Sequence, residues 1–95
     1  MQSFCKKIEI DYSIVSKIIC LDSRIGSSHT QVPGPDGLYG FGGTCFPKDL
    51  SALISQFDSN NIPSIILKAV QDRNNSIDRP EQDWKQDIGR AIFSI

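Results

Sequence analysis

The sequence predicts a small all-α domain of four to five helices with one long glycine-rich loop, on three observations. Apolar residues recur at three- and four-residue spacing in several separate stretches, the pattern of one helix face. Between positions 22 and 44 that periodicity stops, and six of the seven glycines fall there. With only 95 residues there is room for one domain, which would bury about 60–65% of its unfolded surface.

The opening "QSFCKKIE" reads as the tail of a helix with Phe4, Cys5 and Ile8 on one side. So short a helix does not stand alone in water; it either docks on the rest or is the stump of something longer. A second helix is predicted over 12–21, where Ile14, Val15, Ile18 and Ile19 share a face. Asp11 is placed to cap it by accepting a first-turn N–H. The loop at 22–44 carries the turn signals Pro33-Gly34 and Asp36-Gly37. A loop of this length inside a small domain is either functional or disordered. Helical spacing returns at Pro47, with Leu50, Leu53, Ile54 and Phe57 on one face. Proline suits a first helical turn because its missing N–H has no partner to lose there. Asp49 in the same turn is favoured by the helix dipole. Asn60 or Asn61 can end this helix in a left-handed conformation. A fourth helix is predicted over 63–78, with an apolar stripe of Ile62, Ile65, Ile66, Ala69 and Val70, broken at Pro80. The last segment sets Trp84, Ile88 and Ala91 or Ile92 on one side. Its final "AIFSI" reads equally as the start of a strand, with Gly89 as the break.

Composition excludes several functions. The chain is 39% hydrophobic and 22% charged, ordinary for a soluble domain. A net charge of −1 with no basic stripe leaves no nucleic-acid footprint. No apolar run approaches the ~20 residues of a membrane span, and no apolar core follows the two N-terminal lysines as a secretion signal would require. Three cysteines, an odd number without C-x-x-C spacing, fit a reduced, cytoplasmic setting. A single histidine, His29, makes no metal site.

The chemistry-bearing stretch is "GFGGTCFPKDL". Cys45 stands two residues before Pro47, at the start of a helix, where free N–H groups and the positive dipole end stabilise a thiolate. Lys48 adds a cation, and Gly40, Gly42 and Gly43 let backbone approach a ligand closely. The same helix end would receive a phosphate. Asp49 is a carboxylate able to orient a water. Each residue also has a plainer reading. Cys5 and Cys20 are small core hydrophobes, Asp49 a first-turn helix residue, His29 a solvated loop residue, and Arg24 a surface charge. A cysteine–histidine hydrolase would need His29 as its base, and nothing in the sequence orients that imidazole.

The full string "GFGGTCFPKDLSAL" resembles the signature G-[FY]-G-G-x-C-[FL]-P-K-D-x-x-A-L of the UDP-glucose/GDP-mannose dehydrogenase family, and every fixed position is matched. "LDSRIG" is similar to the family's D-x-R-I-G element, "VPGPDG" to a loop insertion of one branch, and "ILKAVQDRN" and "DWKQDIGRAI" to the helices that follow. The resemblance implies an NAD-dependent oxidation of a nucleotide sugar at C6, of UDP-glucose first, by two hydride transfers. It implies that Cys45 attacks the aldehyde-level intermediate and that Asp49 positions or deprotonates the water that hydrolyses a thioester. It implies that the backbone of Tyr39, Gly40, Phe41 and Gly42 contacts the UDP-sugar. Arg24 would reach the sugar of a neighbouring subunit, and Lys48 would lie on the NAD side. The chain departs from the whole family pattern in having no G-x-G-x-x-G after a strand. It reads as a central helical domain without its first long helix and without the flanking NAD and nucleotide-sugar domains. We therefore expect the isolated chain to be inactive. A reading of a different class is a non-catalytic helical module that forms a homodimer by helix packing.

Overall fold

A computed structural model describes residues 1–86. The predicted Ile88, Gly89, Ala91, Ile92 and "AIFSI" features lie outside the described residues. Among the described residues all regular structure is helical and there is no strand. No helix among them is long and apolar enough to cross a membrane. The chain divides into two compact units, Met1–Gly37 and a second that begins at Leu38.

The first unit holds α1 (Gln2–Lys7) and α2 (Tyr12–Ile19). Cys5 is its buried apolar side chain, at 3% exposure, while Phe4 and Ile8 stay exposed. Asp11 caps α2 as predicted: its Oδ1 accepts from the Ser13 N–H at 2.9 Å and the Ser13 hydroxyl at 2.8 Å. Those bonds, the hydroxyl's first, hold the Asp11 carboxyl below its ordinary range. The helix stops at Ile19, two residues short of the predicted 12–21, with Cys20 as its C-cap. Its apolar stripe is mostly outward: Ile14, Ile18 and Ile19 are exposed and Val15 half-buried. The inward positions are Tyr12, Ser16 and Cys20, spaced by four, and all three meet Thr30. The Tyr12 hydroxyl donates to the Thr30 carbonyl at 2.6 Å, the Ser16 hydroxyl donates to Thr30 Oγ1 at 3.3 Å, and Cys20 Sγ lies 3.8 Å from it. A short 3-10 turn, Ser27–His29, leads into Thr30.

In the second unit α3 (Phe46–Ser59) carries Pro47 and Asp49 in its first turn. Leu50 and Ile54 are buried, Phe57 is half-buried, and Leu53 lies exposed. Asn61 takes the left-handed conformation, φ 58°, that turns the chain toward α4 (Ile65–Arg73). The helix predicted over 63–78 is two pieces, because α4 passes into a π turn, Asn74–Asp78. The Arg79 N–H closes that turn on the Asn74 carbonyl at 2.7 Å.

The predicted apolar stripe of α4 faces away from the unit: Ile65 is 76% and Ile66 79% exposed, and Ile62 and Val70 are exposed with them. The reason lies in the opposite face. Ser64, Leu67, Gln71 and Asn74 follow one another at helical spacing and are buried or half-buried. Three of them are polar and satisfied. The Ser64 hydroxyl donates to Asp58 Oδ1 at 2.8 Å, Gln71 Nε2 donates to Ser51 Oγ at 3.0 Å, and Asn74 pairs with Phe41. Hydrogen bonds, not apolar area, set the rotation of this helix. Past Pro80, a 3-10 turn (Asp83–Gln86) buries Trp84 to 5% exposure. Phe41, Pro47, Leu50 and Trp84 line one small cavity of about 30 Å³ under the glycine loop.

Candidate functional site

The glycine loop is held from below by the segment that follows α4. Gly40 has φ 66°, a conformation that L side chains avoid, and a Cβ there would run into Asn74 Oδ1 and sit 2.9 Å from Asp78 Cβ. Asn74 is 1% exposed. Its Oδ1 accepts from the Phe41 N–H at 2.8 Å and its Nδ2 donates to the Phe41 carbonyl at 2.9 Å. One side-chain amide therefore pairs with both backbone groups of a residue 33 positions away.

Arg79, at 0% exposure, makes the second tie. Its Nε donates to the Tyr39 carbonyl at 3.0 Å, and its Nη1 donates to Asp83 Oδ1 at 3.0 Å. Glu81 Oε1 lies 3.6 Å from the same Nε. The Gly43 N–H points to Asp83 Oδ2 at 3.5 Å. Burial opposes the Asp83 charge, but the hydrogen bond from Arg79, the Gly43 N–H, its own backbone N–H and the Arg79 charge outweigh it. The carboxyl is held below its ordinary range. Gly42 is required for a steric reason: a Cβ there would meet Arg79 Nη1 and lie 2.6 Å from Asp83 Oδ1. Among the described residues every buried side-chain nitrogen and oxygen has a hydrogen-bond partner.

Above this base stands the cysteine. Cys45 is the N-cap of α3 and its side chain is exposed. Its carbonyl accepts the first helical bond, from the Asp49 N–H at 2.9 Å, and its Sγ lies 3.7 Å from Thr44 Oγ1. Asp49 follows four residues on, in the first turn of the helix that Cys45 precedes. The Asp49 carboxylate is exposed and 3.7 Å from Lys48 Nζ, a surface contact worth little by itself. The Phe41 ring meets Phe46, the residue after Cys45, edge to face with centroids 4.6 Å apart.

Of the residues singled out from sequence, Tyr39, Gly40, Phe41, Gly42, Cys45, Lys48 and Asp49 thus lie in one unit on two adjoining elements. Arg24 belongs to the other unit, with its side chain 86% exposed. It is braced by Asp22: Nε donates to Oδ1 at 3.0 Å and Nη2 to Oδ2 at 2.7 Å. These bonds, then the Arg24 N–H, hold the Asp22 carboxyl low. No group of three or more metal-ligating side chains occurs among the described residues. Sequence reasoning missed Asn74, Arg79 and Asp83. The clue available was indirect: a loop with three glycines in four positions has few side chains of its own to hold it, so polar residues elsewhere must satisfy its backbone.

Residues 1–76 match the UDP-glucose/GDP-mannose dehydrogenase family, central domain. The chain is 49% identical over 70 residues to a UDP-glucose 6-dehydrogenase of Rickettsia bellii (strain RML369-C), covering 74% of this chain and 15% of that protein. It is 38% identical over 72 residues to the UDP-glucose 6-dehydrogenase TuaD of Bacillus subtilis (strain 168), 76% of this chain and 14% of that one. Over all 95 residues it is 37% identical to the UDP-glucose 6-dehydrogenase AglM of Haloferax volcanii, 20% of whose length it spans. The chain thus spans a fifth or less of the length of these relatives. No solved structure matches it.

Proposed function

The chain belongs to the UDP-glucose/GDP-mannose dehydrogenase family, and we propose that it carries the sulfur nucleophile and part of the sugar-nucleotide loop of an NAD-dependent UDP-glucose 6-dehydrogenase. The observation that supports this most is the exposed Cys45 at the start of α3, beside a braced glycine loop and one turn before Asp49. In this reading Cys45 Sγ adds to the C6 aldehyde carbon of the half-oxidised sugar. The C–S bond forms, the carbonyl oxygen takes a proton, and a thiohemiacetal results. At the thioester stage that follows oxidation, Asp49 takes a proton from a water. The water oxygen attacks the thioester carbon, the C–S bond breaks, and the sulfur leaves with its electron pair, giving the carboxylate. The backbone of residues 39–42 contacts the UDP-sugar, and Arg24 reaches the sugar of a neighbouring subunit.

NAD supplies hydride acceptance in such a reaction, and the described residues do not fit it. Among them there is no strand, and so no strand–glycine–helix cradle for a dinucleotide. Hydride transfer is assigned to other parts of the enzyme, with Lys48 alone placed on the cofactor side. The 95-residue chain by itself is then inactive, and mixing it with UDP-glucose and NAD yields no NADH. A reducing, cytoplasmic setting, in which the three thiols stay free, belongs to the same proposal.

The test is iodoacetamide labelling with and without UDP-glucose. We expect Cys45 to label before Cys20 and the buried Cys5, and UDP-glucose to slow Cys45 alone. Equal Cys45 rates with and without the sugar nucleotide argue against the reading.

A second reading, a homodimerisation module, is favoured by one observation: the exposed apolar residues Ile65, Ile66 and Val70 of α4, with Ile62 just before it. Faces of this kind mark surfaces that another protein covers. Sedimentation at several concentrations should show a dimer that Ile66→Asp disperses. A monomer at every concentration removes this reading.

A further inference from the structure

We propose that Asn74 is a positioning residue for Cys45, acting through Phe41 and Phe46. The inference rests on the reading of Cys45 as the reacting sulfur. It does not depend on which sugar nucleotide is bound.

The loop at 40–43 has three glycines, two of them at positive φ, and so a large conformational freedom to lose. Asn74 removes that freedom at one point. Its amide fixes the peptide planes on both sides of Phe41, at 2.8 and 2.9 Å, from a position 1% exposed. A leucine would fill the same space and satisfy neither peptide group. With Phe41 fixed, its ring stands edge-on to Phe46 at 4.6 Å, and Phe46 is both the neighbour of Cys45 and the first residue of α3. The path from Asn74 to the sulfur is thus one pair of hydrogen bonds, one ring contact and one peptide bond.

The π turn is what makes the arrangement possible. It widens the helix by one residue, and Asn74 and Arg79 at its two ends both bond to the backbone of residues 39–41. Turns of this kind occur frequently at functional sites. The ties to residues 39–41 are therefore gathered at one local distortion of the chain.

The discriminating variant is Asn74→Asp. A neutral carboxylic acid has one donor and one acceptor, like the amide face it replaces, and can pair with both Phe41 groups. The carboxylate has no donor and loses the bond to the Phe41 carbonyl. Burial favours the neutral acid, so the clamp should return as pH falls. The charged groups around this position are Arg73, Asp78, Arg79 and Asp83 on its own segment. The glycine loop brings none, and Lys48 and Asp49 are those of the first turn of α3. Asp83 titrates below the ordinary carboxylate range, so its tie to Arg79 persists at pH 5.

The experiment uses the full 95-residue chain. Residue-resolved amide exchange reports residue 41, and iodoacetamide labelling reports Cys45, each as a ratio to wild type at the same pH. We expect N74A to speed Phe41 exchange at least about tenfold; N74D at pH 8 still accepts the Phe41 N–H, so it should keep that protection while it loses the bond to the Phe41 carbonyl. Leu50 and Ile54 should keep their protection, and Cys45 labelling should change at least about threefold. In Cys45 labelling N74D should return to the wild-type ratio at pH 5, and N74A should not. F41L should keep protection at residue 41 yet still alter Cys45 labelling. Should N74A fail to fold, N74D at the lower pH and F41L decide the matter. The proposal is overturned if Cys45 labelling is unchanged when residue 41 is released, if N74D shows no recovery at pH 5, or if F41L leaves Cys45 as in wild type. A parallel UDP-glucose titration of the wild type separates the two readings. Absence of binding there sinks the sugar-nucleotide assignment and leaves the clamp standing, and unaltered Cys45 labelling sinks the clamp alone.

Discussion

Gly42→Ala is the substitution whose cost follows most directly from the geometry of the loop. Gly42 is not at positive φ, so its backbone tolerates a side chain. The added Cβ would lie 2.6 and 2.9 Å from the Asp83 oxygens and against Arg79 Nη1. Real Cβ contacts are not that short, so the Arg79–Asp83 hydrogen bond must give way. A bond between charged groups contributes roughly 1.5–3 kcal/mol. Asp83 is 44% exposed, which lowers that figure by solvent screening, while the fully buried Arg79 has little room to move. We therefore expect a loss of about 2 kcal/mol, or a fall of about 1–2 M in urea midpoint for a unit of this size. Trp84, the single tryptophan and 5% exposed in the same unit, provides the fluorescence probe. Gly26→Ala, with no atom within 4 Å, is the control and should stay within about 0.5 kcal/mol of wild type. In an Asp83→Ala background the Gly42→Ala cost should drop below about 1 kcal/mol, because the Arg79–Asp83 hydrogen bond it breaks is already absent and Arg79 Nη1 is no longer held against the new Cβ. A wild-type midpoint for Gly42→Ala, or an equal cost in both backgrounds, refutes the reasoning.

Other expectations follow from single interactions. Asp83 has a lowered folded-state pKa, so the unfolded chain binds more protons in the acidic range and stability rises with pH there. Its contribution is present above the ordinary aspartate value of about 3.9 and is lost as pH falls through the lowered one; acid titration of Trp84 fluorescence should show that limb, and Asp83→Asn should flatten it. Tyr12→Phe removes the 2.6 Å bond to the Thr30 carbonyl and should destabilise the first unit by about 1 kcal/mol, read as faster amide exchange in α2 with α3 unchanged.

The candidate site was legible where its residues are contiguous in the chain. Cys45, Pro47 and Asp49 sit in one short string, and the proline and the first-turn acid point to the same helix start. Asp11 was legible for the same reason, since a cap acts within three residues. What escaped the sequence depends on partners far apart in the chain. Asn74 and Phe41 are 33 positions apart, and Arg79 and Tyr39 are 40 apart. Periodicity also misled at α4, where the apolar side points outward and the inner side is set by Ser64, Gln71 and Asn74. A hydrophobic stripe shows that a helix has two sides, and the hydrogen-bond partners of its polar side decide which one turns inward.

The proposed chemistry requires that the sulfur of residue 45 bonds to C6 of the sugar. Carbon-13 NMR of UDP-glucose C6-aldehyde, labelled at C6 and mixed with the chain, observes that bond without any oxidant. We expect a thiohemiacetal carbon signal with the wild type that is absent with Cys45→Ser. Identical spectra for the two proteins would contradict it.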